Sequence, residues 1–242
     1  MYRSLDISHI RTTAGTLERR IGERFPDSGL RRVAADLLAL TRDTSARLAE
    51  IGRPRHDVRI GVGLLILLIV SVTLLTFGQL RWPATVGDAT GFIQLLESAI
   101  NDVVFVGIGI AFLITIEGRI RRRRALRDLH ELRSIAHVVD MHQLTKDPDQ
   151  FLLERRDTAS SPERLMTPAE LTRYLDYCSE MLSLTGKVAA LYAQTLEDPV
   201  VLGAVNEVET LCTGLSSKIW QKIVLLGTTA RVGAKQGIGS RE

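Results

Sequence analysis

The stretch Ile60–Leu80, with the sequence IGVGLLILLIVSVTLLTFGQL, decides the fold of this chain of 242 residues. It holds 21 consecutive residues without a charge, and its centre, 64–70, consists only of Leu, Ile and Val. Since an α-helix rises about 1.5 Å per residue, a helix of this length covers roughly 30 Å, which is the thickness of the hydrocarbon core of a bilayer. The stretch therefore predicts a membrane-spanning helix.

A second apolar segment is shorter, with only 14 uncharged residues between Asp102 and Glu117. A segment of this length also fits a buried core helix. It can cross the bilayer if Asp102 lies at the headgroup level and the bilayer thins slightly around it. We therefore predict two spans, at about 60–80 and 99–117, and interpret Asp102 and Glu117 as carboxylates at the membrane interface, where Glu117 can pair with Arg121 four residues on. A carboxylate inside the hydrocarbon would instead indicate an ion or proton path.

The placement of arginine predicts the orientation of the spans. Five arginines lie in the 20 residues before the first span, one lies in the connection 79–101, and seven lie in the 20 residues from Glu117 onward. Cytoplasmic flanks of membrane helices carry the excess of Lys and Arg, so both termini are predicted to be cytoplasmic, in a bacterial-type inner (plasma) membrane. The densest group is interpreted as a topology signal that also attracts anionic lipid headgroups: Arg119, Arg121, Arg122, Arg123 and Arg124.

The remaining composition excludes several function classes. The chain has no P-loop, GxSxG or CxxC motif, and it lacks runs of alternating β-branched residues. Because the densest arginine group follows directly on a span, it does not indicate a nucleic-acid interface. Residues 1–20 carry four arginines and no long apolar stretch, so no cleavable signal peptide is expected. The sequence predicts no catalytic residues and no cofactor.

Polar, helix-prone segments flank the two spans. The segment 28–51 carries an apolar stripe at spacings of three and four, and Thr16–Phe25 is a second candidate helix. The second span continues without a strong helix breaker, which predicts one rod from about 90 to about 143. Thr167–Glu170 reads as a capping box, and Asp198-Pro199 repeats a cap followed by proline, so two long helices should form an antiparallel hairpin.

These patterns predict an all-α membrane protein: a two-span transmembrane hairpin with a cytoplasmic helical bundle that contains the antiparallel helical hairpin. The predicted segments, in chain order, are N-terminal cytoplasmic amphipathic helices at 1–57, the transmembrane hairpin at 58–118, a cytoplasmic stalk helix at 119–144, a linker at 145–166, the antiparallel hairpin at 167–226 and a disordered tail at 227–242.

Two groups of side chains are candidates for chemistry. His130 and His137 share a helix face and Asp140 follows three residues later, a set that could bind a divalent metal or, with His142, sense pH. The spacing is not HExxH, and surface or inter-helix histidines are the favoured interpretation. The two cysteines, Cys178 and Cys212, lie on apolar stripes; a turn near residue 197 would offset them by about five residues, which is too far for a disulfide.

The first functional hypothesis is a non-enzymatic two-span inner-membrane protein, an anchor or scaffold whose cytoplasmic helices mediate assembly or partner binding. The alternative is an oligomeric small channel or membrane-permeabilising effector. The only hydroxyl residues of the first span are Ser71, Thr73 and Thr76, which favours the anchor. A membrane-bound enzyme ranks third, because clustered nucleophiles, bases and metal ligands are lacking.

The expected partners are the lipid bilayer and either a second copy of the chain or a cytoplasmic protein. Self-association is predicted because the apolar stripes look wider than one partner helix covers. The flanking residues in question are Tyr174, Met181, Val188, Trp220, Ile223 and Leu225, with a further row at Leu126, Leu129, Leu132 and Val139. A closed four-helix bundle that includes the helix at 28–51 would instead absorb these stripes within one chain.

Overall fold

The computed structural model of the protein describes residues 4–53, 56–79, 89–146, 148 and 166–239. Within these ranges the chain contains no strand and forms six α-helices. They are α1 (Ile7–Arg24), α2 (Gly29–Gly52), α3 (His56–Gln79), α4 (Ala89–Leu144), α5 (Pro168–Thr195) and α6 (Pro199–Gly239). The all-α fold is confirmed, and α3 and α4 contain segments long and apolar enough to cross a membrane.

Side-chain caps fix the starts of three helices. The Asp6 carboxylate accepts the Ser8 N–H at 2.8 Å, so α1 begins well before the predicted start at Thr16. The predicted capping box opens α5, where Thr167 N–H donates to Glu170 at 2.8 Å and Glu170 N–H donates to the Thr167 hydroxyl at 3.2 Å. The Asp198 carboxylate accepts the Val200 N–H at 2.9 Å and opens α6. Two of these three starts were readable from the sequence, since they follow the cap-plus-proline pattern.

The chain divides into two compact units. The bundle unit comprises Met1–Gly52 and Arg124–Glu242, and the apolar unit comprises Arg53–Arg123. Helix α4 is uninterrupted and contributes residues to both units, which confirms the predicted rod. The predicted boundaries of the transmembrane hairpin, at 58 and 118, lie close to the limits of the apolar unit.

Helix α5 is the central helix of the bundle unit and packs against α1, α2 and α6. Its flanking residues Tyr174, Met181 and Val188 are buried, with at most 3% of their surface exposed. The same holds for three residues of the predicted row on α4, Leu129, Leu132 and Val139, whereas Leu126 is partly buried. These stripes are therefore covered within one chain, as expected for the four-helix alternative. Of the residues on which self-association was predicted, Trp220 and Leu225 of α6 remain exposed.

The two cysteines are buried and free, as the sequence predicts. Cys212 packs against Gly186, where a Cβ atom added to the glycine would lie 3.9 Å from the Cys212 Cβ. Helix α5 ends at Thr195 and α6 begins at Pro199, so the turn lies near residue 197, as predicted.

The predicted disordered tail differs from the structure, because α6 continues through residue 227 to Gly239. The glycines of this segment weaken a helix by about 1 kcal/mol each relative to alanine, but they do not remove its hydrogen bonds. The predicted linker, 145–166, lies almost entirely outside the described residues, as do the final residues, 240–242.

The end of α4 packs on the start of α2 within the bundle unit. The His142 imidazole lies so close to Gly29 that a Cβ atom at position 29 would overlap it. Lys222 of α6 donates to the Gln143 carbonyl at 3.1 Å beside this contact. The C-terminal turn of α4 is therefore held from two sides, and a side chain at position 29 would require the His142 imidazole to move.

Candidate functional site at the charged ends of the apolar helices

The apolar side chains of α3 and of the first part of α4 are exposed. Leu64 and Leu67 of α3 are each 62% exposed, and on α4 Val103 is 64% exposed and Phe105 is 72% exposed. None of the most apolar window of either helix is buried. A helix that is apolar on all sides is normally covered by protein or by lipid, since a soluble chain rarely exposes such a surface.

Glu117 joins the two helices of the apolar unit. Arg59 of α3 donates from Nε to the Glu117 carboxylate at 2.7 Å, and Arg121 donates to the other carboxylate oxygen. Arg121 also donates to the Arg53 carbonyl at 2.9 Å. The predicted pair between Glu117 and Arg121 is confirmed, and the second arginine, Arg59, comes from a helix that the sequence argument did not connect to it.

We call the described arginines of 53–59 and 117–123 the arginine collar: Arg53, Arg59, Arg119, Arg121, Arg122 and Arg123, all in the apolar unit. The fifth predicted topology residue, Arg124, belongs to the bundle unit and pairs with Glu50 at 3.5 Å. Over 53–59 and 117–123 the sequence has seven arginines against Asp57 and Glu117. The collar therefore keeps a large excess of positive charge after its acidic partners are counted.

The collar has a paired face and an unpaired face. Glu117 and Arg121, four residues apart, lie on the paired face with Arg59. Arg119 and Arg123 are also four residues apart but lie on another face of α4, and neither forms an ion pair within the described part of the chain. The Arg119 guanidinium lies 5.1 Å from the centre of the Phe112 ring and makes a long, 3.4 Å hydrogen bond to Thr115. Both arginines are exposed.

Asp102, the other predicted interface carboxylate, is exposed on α4. It lies 15 positions before Glu117 in the same helix, so about four turns separate the two carboxylates. The structure therefore does not bring them together. Their placement at two membrane interfaces remains a prediction.

The histidine candidates do not form a metal site among the described residues. His130 and His137 are exposed on α4, and the Asp140 carboxylate accepts a hydrogen bond from the Gln143 amide at 2.6 Å. No group of three or more His, Cys, Asp or Glu side chains in the described ranges is arranged to hold a metal ion. His142 instead packs on Gly29, where burial and then the cations Arg32 and Lys146 lower its pKa below 6.5.

A polar network around the buried Asp128, which was not predicted from the sequence, lies in the bundle unit. Arg47 of α2 donates to the carboxylates of Asp128 and Glu131 of α4, at 2.8 Å in each case. The Tyr192 hydroxyl of α5 donates to the other Asp128 oxygen at 3.0 Å, and burial beside this carboxylate raises the pKa of Tyr192. One signal was available, because Asp128 stands beside Leu129 on a helix face that is otherwise apolar.

This network joins α2, α4 and α5, and the charges that line the cleft beside it are balanced. The cleft beside it has a volume of about 380 Å³ and is lined by three arginines and three acids: Arg47, Arg124, Arg127, Glu50, Asp128 and Glu131. Such a balance fits a structural role, with each buried charge compensated, better than it fits a site for a charged ligand. Comparisons of the chain with protein-family models, with curated proteins and with solved structures find no match.

Proposed function

We propose that the protein is a non-enzymatic membrane anchor with two spans, α3 and the 99–117 part of α4. Its bundle unit would assemble with a second copy or with a partner on the cytoplasmic side. The observation that carries the proposal is the exposure of Leu, Ile, Val and Phe side chains along both helices. Removing one such side chain from water contributes about 1.5–3 kcal/mol when burial is complete, and a bilayer offers that burial on every side of a helix.

The arginine collar supports an orientation with both termini in the cytosol of a bacterial-type cell. The sequence from 80 to 102 contains one arginine and three acids, against the seven arginines and two acids at the opposite ends of the spans. Arginine translocates poorly and is retained on the cytoplasmic side. In this orientation Glu117 reaches the interface already paired with two guanidinium groups, which reduces the cost of holding a carboxylate there.

The hydrogen bond of Thr73 and the ion pairs of Glu117 favour an anchor over a pore. A pore needs a polar face along its lining helix, whereas the Thr73 hydroxyl donates to the Ile69 carbonyl of its own helix at 2.9 Å. The paired state of Glu117 also leaves it poorly suited to carry an ion. The channel alternative therefore has less support than the anchor.

The support for assembly comes from α6 and the end of α4. Trp220 is 64% exposed, and Val224, one turn further along α6, is 47% exposed. Met141 of α4 is 64% exposed. Leu182, in contrast, is fully buried in α5, so a substitution there would test the fold rather than an interface. Trp220 is the better probe of association.

Two measurements test the proposal. Extraction of native membranes with alkaline carbonate should leave the full chain in the pellet, whereas release into the supernatant would contradict a spanning anchor. Light scattering on the detergent-solubilised protein should give a mass above the 26.8 kDa of one chain. Trp220→Glu should reduce that mass while the exposed-charge control Arg42→Gln does not; a wild-type mass of one chain at all concentrations would contradict self-association.

A further inference from the structure

We infer that the unpaired face of the arginine collar, formed by Arg119 and Arg123 with Phe112 below them, binds the phosphate of an anionic phospholipid headgroup. This inference rests on the proposed membrane anchor. It differs from a general attraction of basic residues to the membrane, because it assigns the lipid to one face of α4 and not to the collar as a whole.

The ion-pair partners of the collar arginines divide the collar into two faces. On the paired face, Arg59 and Arg121 share the Glu117 carboxylate, whose side chain is only 16% exposed. On the other face, the described residues provide no carboxylate to Arg119 or Arg123. Two like charges one turn apart repel each other unless an anion lies between them. The unpaired face is thus the part of the collar that lacks its counter-ion.

The spacing of Arg119 and Arg123 on α4 suits the binding of one phosphate group. Residues four apart on a helix have Cβ atoms about 5–6 Å apart, so the two guanidinium groups can reach different oxygens of one phosphate group. Arginine suits this role because its planar group donates two parallel hydrogen bonds to a phosphate. A single phosphodiester can therefore bridge Arg119 and Arg123.

The exposed ring of Phe112 favours a lipid over a free anion as the ligand. Phe112 lies on the same face about two turns before Arg119, is 52% exposed, and offers an apolar contact next to the cation. The Arg119 guanidinium already lies over this ring at 5.1 Å. A phospholipid presents a phosphate and an acyl chain in this order along the membrane normal, whereas inorganic phosphate has nothing to place against the ring.

Native mass spectrometry of the full chain, extracted from membranes in detergent, tests the inference. The probes are dioleoyl phosphatidylglycerol, dioleoyl phosphatidylcholine with the same acyl chains, and inorganic phosphate as a competitor. The wild type should bind one phosphatidylglycerol more tightly than phosphatidylcholine. Arg119→Gln with Arg123→Gln should weaken binding of the first phosphatidylglycerol about twenty-fivefold, from roughly a fivefold loss per arginine near the membrane surface.

The matched control removes the same charge elsewhere. Arg11 and Arg42 are exposed arginines of the bundle unit, and the double variant Arg11→Gln with Arg42→Gln should bind phosphatidylglycerol like the wild type. The single variant Arg123→Gln, which leaves the contact between Arg119 and Phe112 intact, should lose about fivefold. This variant keeps the test valid if the double variant at 119 and 123 fails to fold.

Three results would overturn the inference: equal losses in the two double variants, equal binding of the two lipids by the wild type, or displacement of the lipid by millimolar inorganic phosphate. The first would indicate a diffuse field, the second a site that does not distinguish the net charge of the headgroup, and the third a site for free phosphate. Recovery of each variant in the membrane fraction is recorded before extraction. If the wild type is recovered normally in the membrane fraction but shows no lipid preference, the lipid site alone is refuted. If the wild type is absent from the membrane fraction, the anchor is refuted.

Discussion

Helices α3 and α5 are similar in length, with 24 and 28 residues, yet the apolar residues of α5 are buried and those of α3 are exposed. In α5, 14 residues are buried in the bundle unit, and polar residues separate the apolar positions along the remaining face. In α3, the apolar residues surround the helix and its most apolar window is unburied. The distribution of apolar residues around a helix, more than their number, therefore determines whether the helix packs on protein or needs an apolar environment on all sides.

The largest effect is expected from a charge in the α5 core. Leu182 is fully buried, so Leu182→Glu places an unpaired carboxylate among apolar side chains and should lower the free energy of unfolding of the bundle unit by about 3–5 kcal/mol or more. Thermal unfolding followed by circular dichroism measures the change. If Leu182→Glu melted like the wild type, the central position of α5 in the core would be wrong.

The same substitution in α3 should affect insertion instead. Leu67 is 62% exposed near the middle of the first span, and Leu67→Glu should make membrane insertion less favourable by about 2.5–3.5 kcal/mol, by analogy with other charged residues at a span centre. The fraction of protein in the carbonate-resistant pellet should fall. The melting temperature of the bundle unit should remain unchanged, and a large drop in it would mean that Leu67 packs on protein rather than on lipid.

A smaller effect is expected at the polar network of the bundle. Tyr192→Phe removes the donor that reaches Asp128 at 3.0 Å and leaves a buried carboxylate with one hydrogen bond fewer. The loss should be about 1–3 kcal/mol in the free energy of unfolding. Urea unfolding measures it, with Tyr177→Phe, on the same helix but outside the network, as the control. Equal losses in the two variants would contradict a specific role for the network.

The smallest effect is expected from His142. Burial, with Arg32 and Lys146 nearby, lowers the pKa of His142 in the folded protein below its value of about 6.5 in the unfolded chain. The unfolded chain therefore binds the proton more readily, so stability is complete above about pH 6.5 and falls as the pH drops through that value toward the lower, folded pKa. His142→Gln should reduce the loss of stability between pH 7.5 and 5.5, measured by urea unfolding at each pH. An unchanged pH profile would exclude His142 as a contributor.

Local patterns in the sequence were sufficient for the all-helical fold, for the capping box at Thr167 and for the turn before Pro199, because each depends on residues a few positions apart. They were also sufficient for the pair of Glu117 and Arg121. They were not sufficient for the start of α1 or for the helical end of α6. The contacts of Arg59 with Glu117 and of Arg47 with Asp128 could not be predicted in this way. They join residues 58 and 81 positions apart, and their existence depends on how the helices pack.

The burial of Tyr174 illustrates the same limit. Its position on the edge of the α5 stripe indicates an apolar neighbour but not which helix provides it. In the structure Phe25, at the end of α1, lies against its ring, with the ring centres 5.5 Å apart. A contact within the chain therefore takes the place of the contact between chains that the width of the stripe suggested.

Reporter fusions at three positions test the central claim, that α3 and the first part of α4 cross the membrane as a hairpin. Alkaline phosphatase and a cytosolic reporter are each fused after residues 86, 145 and 240. The account predicts phosphatase activity only at 86 and cytosolic reporter activity only at 145 and 240. Phosphatase activity at 145 or 240 would contradict the hairpin.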